Sequence, residues 1–451
     1  MGEARPVTSR CPAMNTRAGL APSPEGIRLI REPPESRQHH LRAIEPTLPA
    51  SSPGARVAPD RPRSTSPPSG GGAPFDWIIV GGGPHGVCAA RALTARGASV
   101  RIVDPSGVLL ERWSERARAV EMVWMRSPAG HHLDAQPVSL HHFLHRPEHA
   151  DVSELAGTLR RPTHEAFLRH SREVIDTAGL DRSVVRGRVS SIQRRNGESI
   201  VLGDGLELRG RRVLIATGSN TSRIPAWAKR MRDEGAPIRH VFEGDAPLDL
   251  DLVGGGISSV QRALMVHRAT RRTVRVWMRH PLREAEFDFD RDWTKHRFAA
   301  EWNVLDESAR IDFLARHSGR GSVPGGLARR MERAVRNGSL RVAHELPDFE
   351  WDAAAQELRL RGSEGAVRSS GVTLLTGLEP EAVSGWLRST AEDLGLPVVH
   401  GMPRLRADME WGEGIHVTGS LARLRLGPMA PNLVGARWAT SLLPGVRMQP
   451  V

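Results

Sequence analysis

Two glycine-rich turns, each at the end of an apolar, strand-like run, constrain the fold of this chain more than any other feature. Residues 75–80 lead into the first turn, residues 81–86 (GGGPHG), and residues 250–253 lead into the second, residues 254–259 (GGGISS). A glycine-rich turn between a strand and a helix is the phosphate-binding element of a βαβ dinucleotide-binding unit. Two such turns predict an α/β fold with two Rossmann-like dinucleotide-binding domains, which is what hydride transfer from a nicotinamide to a flavin requires.

The glycines of the first turn meet distinct steric demands. Gly81 permits the tight turn, Gly83 leaves no side chain where backbone must approach a pyrophosphate, and Gly86 lets the next helix lie close to the strand. The helix that follows has free N–H groups at its start, and these can bind the phosphates. The predicted cofactor-binding residues of this turn are Gly81, Gly83, Pro84, His85 and Gly86.

The strands that follow the two turns lead to residues of opposite charge. The first ends in Asp104, roughly twenty residues beyond the turn, where a carboxylate can accept hydrogen bonds from a ribose hydroxyl pair. The second leads to Arg279, and an arginine can form charge-assisted bonds to a 2′-phosphate that a carboxylate would repel. FAD is therefore expected at the first site and NADPH at the second, unless Arg279 is simply one of the many surface arginines. The predicted NADPH-binding residues are Gly254, Gly256, Ser258, Ser259 and Arg279.

The basic charge of the chain does not indicate a nucleic-acid-binding protein. The 451 residues carry a net charge of +12, almost wholly from arginine, since Lys229 and Lys295 are the only lysines. Aromatic residues make up 4% of the chain and tyrosine is absent, whereas a surface for bases needs aromatic side chains between its basic ones. No nucleic-acid partner is predicted, and the basic charge could instead aid the capture of anionic NADPH.

The cysteines and histidines exclude further classes of site. Cys11 and Cys88 do not form a C-x-x-C motif, so a flavin-to-disulfide reductase is disfavoured, and Cys88 is expected to be a packed core residue. The scarcity of cysteine favours a reducing compartment, and we expect a cytoplasmic protein. The pairs His131-His132 and His141-His142 lack the partners of a zinc pattern, so no metal site is predicted.

Residues 1–74 differ in composition from the rest of the chain. They are rich in Pro, Arg, Ser and Gly and have almost no periodic apolar pattern, which predicts a disordered leader. The leader lacks the apolar core of a secretory signal, and no run of about eighteen apolar residues predicts a membrane span. Its acidic residues argue against an organelle-targeting peptide. A mis-assigned start and a functional tail both remain open.

The order of strands and helices predicts an inserted domain. A strand at residues 212–215 runs into Ala216-Thr217-Gly218, where flavoproteins with two dinucleotides commonly leave the first domain. A matching element lies at residues 371–377, and a short strand at residues 414–420 follows it. The predicted organisation is a leader at 1–74, an FAD domain at 75–244 and 379–445, and an NADPH domain at 245–378 inserted between its two parts.

Several segments outside the turns carry a family resemblance. They are Met125-Arg126-Ser127-Pro128, His131-His132-Leu133-Asp134, residues 287–293 (FDFDRDW), residues 424–428 (LRLGP) and residues 429–437 (MAPNLVGAR). With the two turns and Ala216-Thr217-Gly218, residues 75–445 resemble the lysine and ornithine N-monooxygenase group of class B flavoprotein monooxygenases. The similarity is greatest to a bacterial subgroup described only as FAD/NAD(P)-binding oxidoreductases. Residues 113–145 depart from the well-defined lysine and ornithine hydroxylases, so amino-acid specificity is not carried over.

The resemblance implies a two-step reaction with a small-molecule substrate and oxygen. NADPH reduces FAD, the reduced flavin captures oxygen as a C4a-hydroperoxide, and retained NADP⁺ shields this adduct until a soft nucleophile, most simply an amine nitrogen, attacks it. The protein supplies electrostatics and excludes water, so no catalytic side chain is assigned.

The resemblance also gives roles to residues near the end of the chain and between the domains. Asn432 and the backbone of Leu433 would begin a final helix whose N-terminus faces the flavin, although Asn432 could be a helix cap alone. His240 resembles an interdomain histidine of the family, with a solvent-facing loop histidine as the alternative. Asp288, Asp290 and Asp292 fit either a cationic-amine site or, better, a solvated acidic loop.

Three hypotheses follow from the sequence. The first is an NADPH-dependent flavin monooxygenase that N-hydroxylates an amine. The second is a flavoprotein reductase that passes electrons to a partner or a quinone. The third, a degenerate nucleotide-binding protein, is disfavoured by the intact glycines of both turns.

Overall fold

The computed structural model describes residues 20–22, 28–31, 73–289, 301–317, 321–362, 365–446 and 448. The helices with full extents in this part of the chain are α1 (Pro84–Thr94), α2 (Glu111–Ala119), α3 (Ser139–Leu144), α4 (His164–Thr177), α5 (Ala226–Asp233), α6 (Ile257–Thr270), α7 (Glu307–His317), α8 (Gly325–Arg336), α9 (Trp386–Leu394), α10 (Arg423–Leu426) and α11 (Leu433–Leu442). Short 3-10 helices are Pro147–Val152, Leu180–Ser183 and Gly419–Ala422.

The strands are short and alternate with the helices. The first ten are β1 (Leu20–Pro22), β2 (Arg28–Arg31), β3 (Phe75–Val80), β4 (Val100–Asp104), β5 (Leu155–Ala156), β6 (Arg161–Pro162), β7 (Val184–Arg186), β8 (Val189–Arg195), β9 (Glu198–Gly203) and β10 (Leu206–Ile215). The next seven are β11 (Ile238–His240), β12 (Asp251–Val253), β13 (Val274–Trp277), β14 (Leu282–Glu284), β15 (Leu340–Ala343), β16 (Asp348–Asp352) and β17 (Glu357–Gly362). The last six are β18 (Gly365–Ser369), β19 (Val372–Leu374), β20 (Val398–Val399), β21 (Met402–Pro403), β22 (Glu410–Gly412) and β23 (Ile415–Val417).

The first sheet contains the strand that leads into the first turn. Its order is β22-β23-β10-β3-β4-β7, with β9 and β8 added as an antiparallel extension of β10. Strands β23, β10, β3, β4 and β7 run parallel, as expected for strands joined through helices. Helix α1 is buried against this sheet along its small and apolar face, where Cys88 and α11 share its core. We call the structure built on this sheet domain 1.

The second sheet contains the strand that leads into the second turn. Its order is β11-β19-β12-β13-β15, and all of its pairs are parallel. Helices α6 and α8 share one apolar cluster with β13 and β15. The antiparallel sheet β16-β17-β18 contributes to a second apolar cluster, in which its Leu358 and Leu360 pack with Trp277 of β13. We call the structure from β11 to β19 domain 2.

Domain 2 is inserted into domain 1, as the sequence predicts. The chain leaves domain 1 after β10 and returns to it for β22 and β23. The predicted α/β fold class, with two Rossmann-like domains and the second within the first, is therefore confirmed. The boundaries at residues 244 and 378 stay a prediction, and β11 lies ahead of residue 245 although it belongs to the second sheet.

The two connections between the domains run side by side. Ser222 and Leu378 form an antiparallel bridge, Arg223 N donates to Gly377 O at 3.0 Å, and Glu379 N donates to Thr221 O at 2.8 Å. The outgoing and returning chains are thus hydrogen-bonded to each other where they cross from one domain to the other.

The leader contains structure that its composition does not predict. Strands β1 and β2 pair antiparallel, and β2 also runs parallel beside β14 of domain 2. The physical reason is that the edge of a sheet offers unpaired N–H and C=O groups to any extended chain, and so short a strand needs no periodic apolar pattern. These seven residues form paired strands, and the rest of residues 1–72 lies outside the described residues. The disordered leader stays a prediction. In the part of the chain that the structure describes, no helix is long and apolar enough to cross a membrane.

Candidate dinucleotide sites

The first turn has the geometry that its glycines predict. Gly81 has φ +116°, and a Cβ there would lie 2.4 Å from the carbonyl oxygen of Ala216. A Cβ on Gly86 would lie 1.9 Å from the carbonyl oxygen of Gly81, so the helix and the strand approach too closely for any side chain. A Cβ on Gly83 would meet nothing within 4 Å, and its φ of −75° carries no strain. The backbone at Gly83 is therefore open on the side where a pyrophosphate would approach.

Helix α1 begins at this opening. Gly83 is its N-cap residue and Pro84 its first residue, and its first turn contains no acidic side chain. The unpaired N–H groups and the positive end of the helix dipole favour an anion at this place. His85 is neutral here, because burial lowers its pKa to about 4, and its Nδ1 lies 2.9 Å from Thr418 Oγ1. The opening thus has the properties of a phosphate site.

The carboxylate of Asp104 is held in place by the first turn. Its Oδ2 accepts a hydrogen bond from Gly82 N at 2.8 Å, and its Oδ1 accepts from Ser106 N at 2.9 Å and from Ser106 Oγ at 2.6 Å. A carboxylate has about four lone-pair sites, so acceptor capacity remains for a ribose hydroxyl. Asp104 lies in the wall of the cavity described next.

The predicted residues of the first site line one cavity of about 1460 Å³. This volume exceeds the roughly 300–1,000 Å³ of a pocket for one drug-sized ligand. The predicted residues in its wall are Gly81, Gly83, Pro84, His85, Asp104, Ala216, Thr217, Gly218, Asn432 and Leu433. Residues distant in sequence are therefore brought together as the prediction requires, with Gly86 in the packed base of the turn.

The N-terminus of α11 also lies at this cavity. Asn432 is the N-cap residue, yet its side chain makes no capping hydrogen bond. The interpretation of Asn432 as a helix cap alone therefore lacks the bond that would define it. Its amide side chain is half-buried in the cavity wall. A role toward the cofactor stays a prediction, and this geometry supports it.

The segment after β10 forms another part of the wall. Ala216 N donates to Val80 O at 2.9 Å, which places it beside the strand that precedes the first turn. The hydroxyl of Thr217 donates to Glu381 Oε1 at 2.7 Å, and burial raises the pKa of this carboxyl. Gly218 has φ +62°, a left-handed conformation in which glycine carries no steric cost.

The second turn shares this backbone geometry but not the open space. Gly254 has φ +152°, and a Cβ there would lie 2.4 Å from Leu375 O, the counterpart of the contact at Gly81. Gly256 is the N-cap residue of α6, and Ser258 and Ser259 fall in the first turn of that helix, where Ser259 is buried. A Cβ on Gly256 would meet the Cα of Gly321 at 3.7 Å. Backbone of domain 2 thus occupies the position that is open at Gly83.

Arg279 lies just beyond β13, at the edge of the second turn. Its neighbour Met278 is buried, with Sδ 3.3 Å from where a Cβ on Gly255 would stand. Arg279 itself is exposed. This placement suits either predicted role, a 2′-phosphate ligand or a surface arginine. The 1460 Å³ cavity of the first site does not reach Arg279 or the second turn.

Two arginines, the buried Arg262 and the half-buried Arg126, join the domains through contacts that the sequence does not predict. Arg262 of α6 donates to Ala119 O at 2.7 Å, in domain 1, and to Pro247 O at 2.7 Å. Arg126, before α3, contacts residues 285–288 of domain 2. Both line the cavity. Arg126 lies in the Met125-Arg126-Ser127-Pro128 segment of the resemblance, but nothing in that segment indicates its partners, and no local pattern distinguishes Arg262 from the many other arginines.

The histidines of domain 1 make contacts within the protein. His132 Nε2 lies 3.0 Å from Pro137 O, and His170 Nε2 lies 2.8 Å from Ser139 Oγ. Burial lowers the pKa of His131 and of His132 to about 4 and that of His170 to about 3. These imidazoles are neutral at neutral pH and fill the core beneath the first site.

The structure describes His240 and Asp288, two residues for which the sequence leaves alternative roles open. His240, considered as a solvent-facing loop residue, is buried at the end of β11, and this burial lowers its pKa. Asp288 is exposed, and its Oδ2 forms an ion pair with Arg126 Nη1 at 2.8 Å. Its role stays a prediction. Asp290 and Asp292 lie outside the described residues.

Comparison with known proteins agrees with this geometry. Residues 78–220 match the model of a family described as FAD-NAD(P)-binding. The fold is that of a two-dinucleotide flavoprotein. No curated protein matches the sequence.

Among solved structures, the chain resembles the reduced form of ornithine hydroxylase from Pseudomonas aeruginosa, with 19% identity, a TM-score of 0.65, and coverage of 83% of this chain and 98% of the other. An ornithine N-hydroxylase from Kutzneria sp. 744, determined with reduced FAD, NADP⁺ and L-ornithine, has 15% identity and a TM-score of 0.63, with coverage of 82% of this chain and 97% of the other. A cadaverine monooxygenase from Erwinia amylovora bound to FAD has 13% identity and a TM-score of 0.62, with coverage of 84% of this chain and 97% of the other. At these identities the likeness is one of fold.

Proposed function

We propose that this flavoprotein is an NADPH-dependent FAD monooxygenase that N-hydroxylates an amine-bearing small molecule. The observation that carries the proposal is the cavity of domain 1, in which the open backbone at Gly83, the carboxylate of Asp104 and the start of α11 converge. The residues present fit FAD: a bare turn and a helix N-terminus for its pyrophosphate, and a fixed acceptor for its ribose. The matched solved enzymes act on ornithine or cadaverine, which are primary amines.

Domain 2 supports a second dinucleotide. Its turn reproduces the glycine contact of the first, and Arg279 directly follows Met278, the residue at the position that Asp104 has in the first unit. A Cβ on Gly256 would be in van der Waals contact with the Cα of Gly321, so this turn is less open than the first. With both cofactors bound, the nicotinamide would supply a hydride and the reduced flavin would activate oxygen.

The chain's own residues contribute charge and exclusion of water. The N-terminus of α11 would favour negative charge on a flavin bound in this cavity. The neutral His85 adds no positive charge to the buried base of the site. The substrate reaches the cavity as a small molecule together with oxygen, and the scarcity of cysteine favours a cytoplasmic protein.

The test is anaerobic reduction of the FAD-loaded protein by NADPH, followed by addition of oxygen and a panel of primary amines. A flavin–oxygen adduct that persists with NADP⁺ present, and an amine converted to its hydroxylamine, support the proposal. Reduction by NADPH with no adduct and no oxygen in any product, but with rapid electron transfer to a quinone, rejects it in favour of a reductase. Among the described residues the free cysteine is Cys88, which is buried. Neither the monooxygenase nor the reductase scheme therefore assigns it a role in electron transfer.

A further inference from the structure

Two arginines of domain 1 bind one short segment of domain 2. Arg126 Nε donates to Glu286 O at 3.0 Å, and its Nη2 donates to Ala285 O at 3.1 Å. Arg161, on β6, donates from Nη2 to the same Glu286 O at 3.2 Å and forms an ion pair with Glu286 Oε2 at 2.5 Å. Arg161 Nε also donates to Arg126 O at 2.9 Å, so the two arginines are fixed to each other. We call Arg126 and Arg161 the interdomain arginine pair.

The same pair extends to the second turn through Ser322. Arg126 Nη2 donates to Ser322 Oγ at 2.5 Å, and Ser322 N donates to Asp288 Oδ1 at 3.1 Å. The other oxygen of Asp288 is the one that pairs with Arg126. Ser322 is fully buried, and the preceding residue, Gly321, is the one that lies against Gly256. A continuous set of contacts therefore joins Arg126 to the second glycine turn.

Arg126 also belongs to the first site. Its side chain is 17% exposed and forms part of the cavity wall. Burial lowers its pKa and Asp288 opposes this, and a guanidinium keeps its charge in either case. A largely buried guanidinium whose donors are directed at residues 285–288 and at Ser322 holds both in one orientation, since each alternative leaves donors unpaired.

We propose that the interdomain arginine pair positions domain 2 for hydride transfer, by fixing residues 285–288 and Ser322 against the wall of the flavin cavity. This inference rests on the proposed function. Arg126 and Arg161 are positioning residues: they act through the segment that they bind and transfer no proton or hydride. Misplacement of reacting groups by about 1 Å can cost about 100-fold in rate, so the pair would set the rate of the hydride step rather than the affinity for either cofactor.

The experiment compares the FAD-loaded variants Arg126→Met, Arg126→Lys and Asp288→Asn with wild type. Anaerobic flavin reduction is followed at increasing NADPH, which separates the limiting rate constant from the apparent Kd, and 4-deuterated NADPH gives the isotope effect. We expect Arg126→Met to lower the limiting rate constant by about 10- to 100-fold, with the apparent Kd changed less than about 3-fold. Arg126→Lys should recover part of the rate, and Asp288→Asn should lower it less than Arg126→Met.

Arg209→Met is the matched control, because Arg209 pairs with Glu198 within domain 1 and away from the cavity. It should reduce at the wild-type rate. If Arg126→Met loses FAD, the decision passes to Asp288→Asn and Glu286→Gln, whose side chains are about half exposed. A wild-type limiting rate constant in both of these would overturn the inference.

Failure of the proposed function has a different signature. If NADPH does not reduce the wild-type flavin, the proposed function fails and the positioning role fails with it. If NADPH reduces wild type and Arg126→Met equally fast, only the positioning role is rejected. Dithionite reduction should proceed alike in all variants, because it needs no nicotinamide in register with the flavin.

Discussion

The Cα of Gly321 lies 3.7 Å from the position that a Cβ on Gly256 would take, whereas a Cβ on Gly83 would meet nothing within 4 Å. Two turns of one design therefore differ in what covers them. The first is open to a ligand, and the second is in contact with backbone of its own domain. A substitution at Gly83 therefore tests cofactor binding, whereas one at Gly256 tests it only if the melting temperature of the variant is unchanged.

Replacement of Gly83 by valine should remove FAD while leaving the fold intact. The valine side chain would enter the open space over the turn, where a pyrophosphate has to lie, and it would displace no protein atom. The measurement is flavin absorbance per protein, together with the melting temperature. Gly326→Val, also in open space but on α8, is the control and should keep its flavin. A full flavin complement in Gly83→Val would contradict the assignment of the first turn.

Replacement of Arg279 by alanine should weaken NADPH by about 1–3 kcal/mol and scarcely change NADH, because only NADPH carries the 2′-phosphate. Anaerobic flavin-reduction kinetics with each coenzyme measure the difference. Arg272→Ala, a similarly exposed arginine of domain 2, serves as control. Equal losses for both coenzymes in Arg279→Ala would mean that Arg279 acts through folding or general electrostatics, and a wild type that prefers NADH would remove the argument.

Gly256→Val should impair the oxygen reaction as well as hydride delivery. With FAD reduced by dithionite and NADP⁺ present, the variant should form a shorter-lived flavin–oxygen adduct and release more hydrogen peroxide per flavin than wild type. The physical reason is that NADP⁺ held at the second turn would shield the flavin from water. The decisive comparison is wild type with and without NADP⁺. An adduct absent in both conditions would reject the monooxygenase.

Stability should fall as the pH drops below about 6.5. His85 has its pKa lowered from 6.5 to about 4 and His170 to about 3, both first of all by burial. The folded state therefore binds these protons less readily than the unfolded chain, so stability is highest above about pH 6.5 and falls progressively toward pH 4 for His85 and toward pH 3 for His170. At about 1.4 kcal/mol per pKa unit, the shifts correspond to about 3 kcal/mol for His85 and about 5 kcal/mol for His170.

Urea unfolding across this pH range measures the effect. His170→Gln should flatten the pH dependence, and the exposed His280→Gln should not. An unchanged slope in His170→Gln would show that other groups govern acid unfolding.

The parts of the fold set by local backbone demands could be predicted from sequence. Gly81 and Gly254 have positive φ, and Gly86 lies against the carbonyl oxygen of Gly81. These demands arise within one strand–turn–helix unit and are visible in a few consecutive residues. The contacts of Arg126 could not be predicted, since its partners Glu286 and Ser322 are 160 and 196 residues away. Strand β2 was missed for a related reason, as it depends on the edge offered by β14.

The paired crossings between the domains bear on how such a protein can be rebuilt. Residues 221–223 and 377–379 are hydrogen-bonded to each other, so domain 2 begins and ends at one point. A nick in one crossing would leave domain 2 covalently attached to domain 1 through the other crossing. The whole of domain 2 could be exchanged, as a cassette, for the coenzyme domain of a relative without stretching the chain, and coenzyme preference could then evolve separately from the chamber in which oxygen reacts.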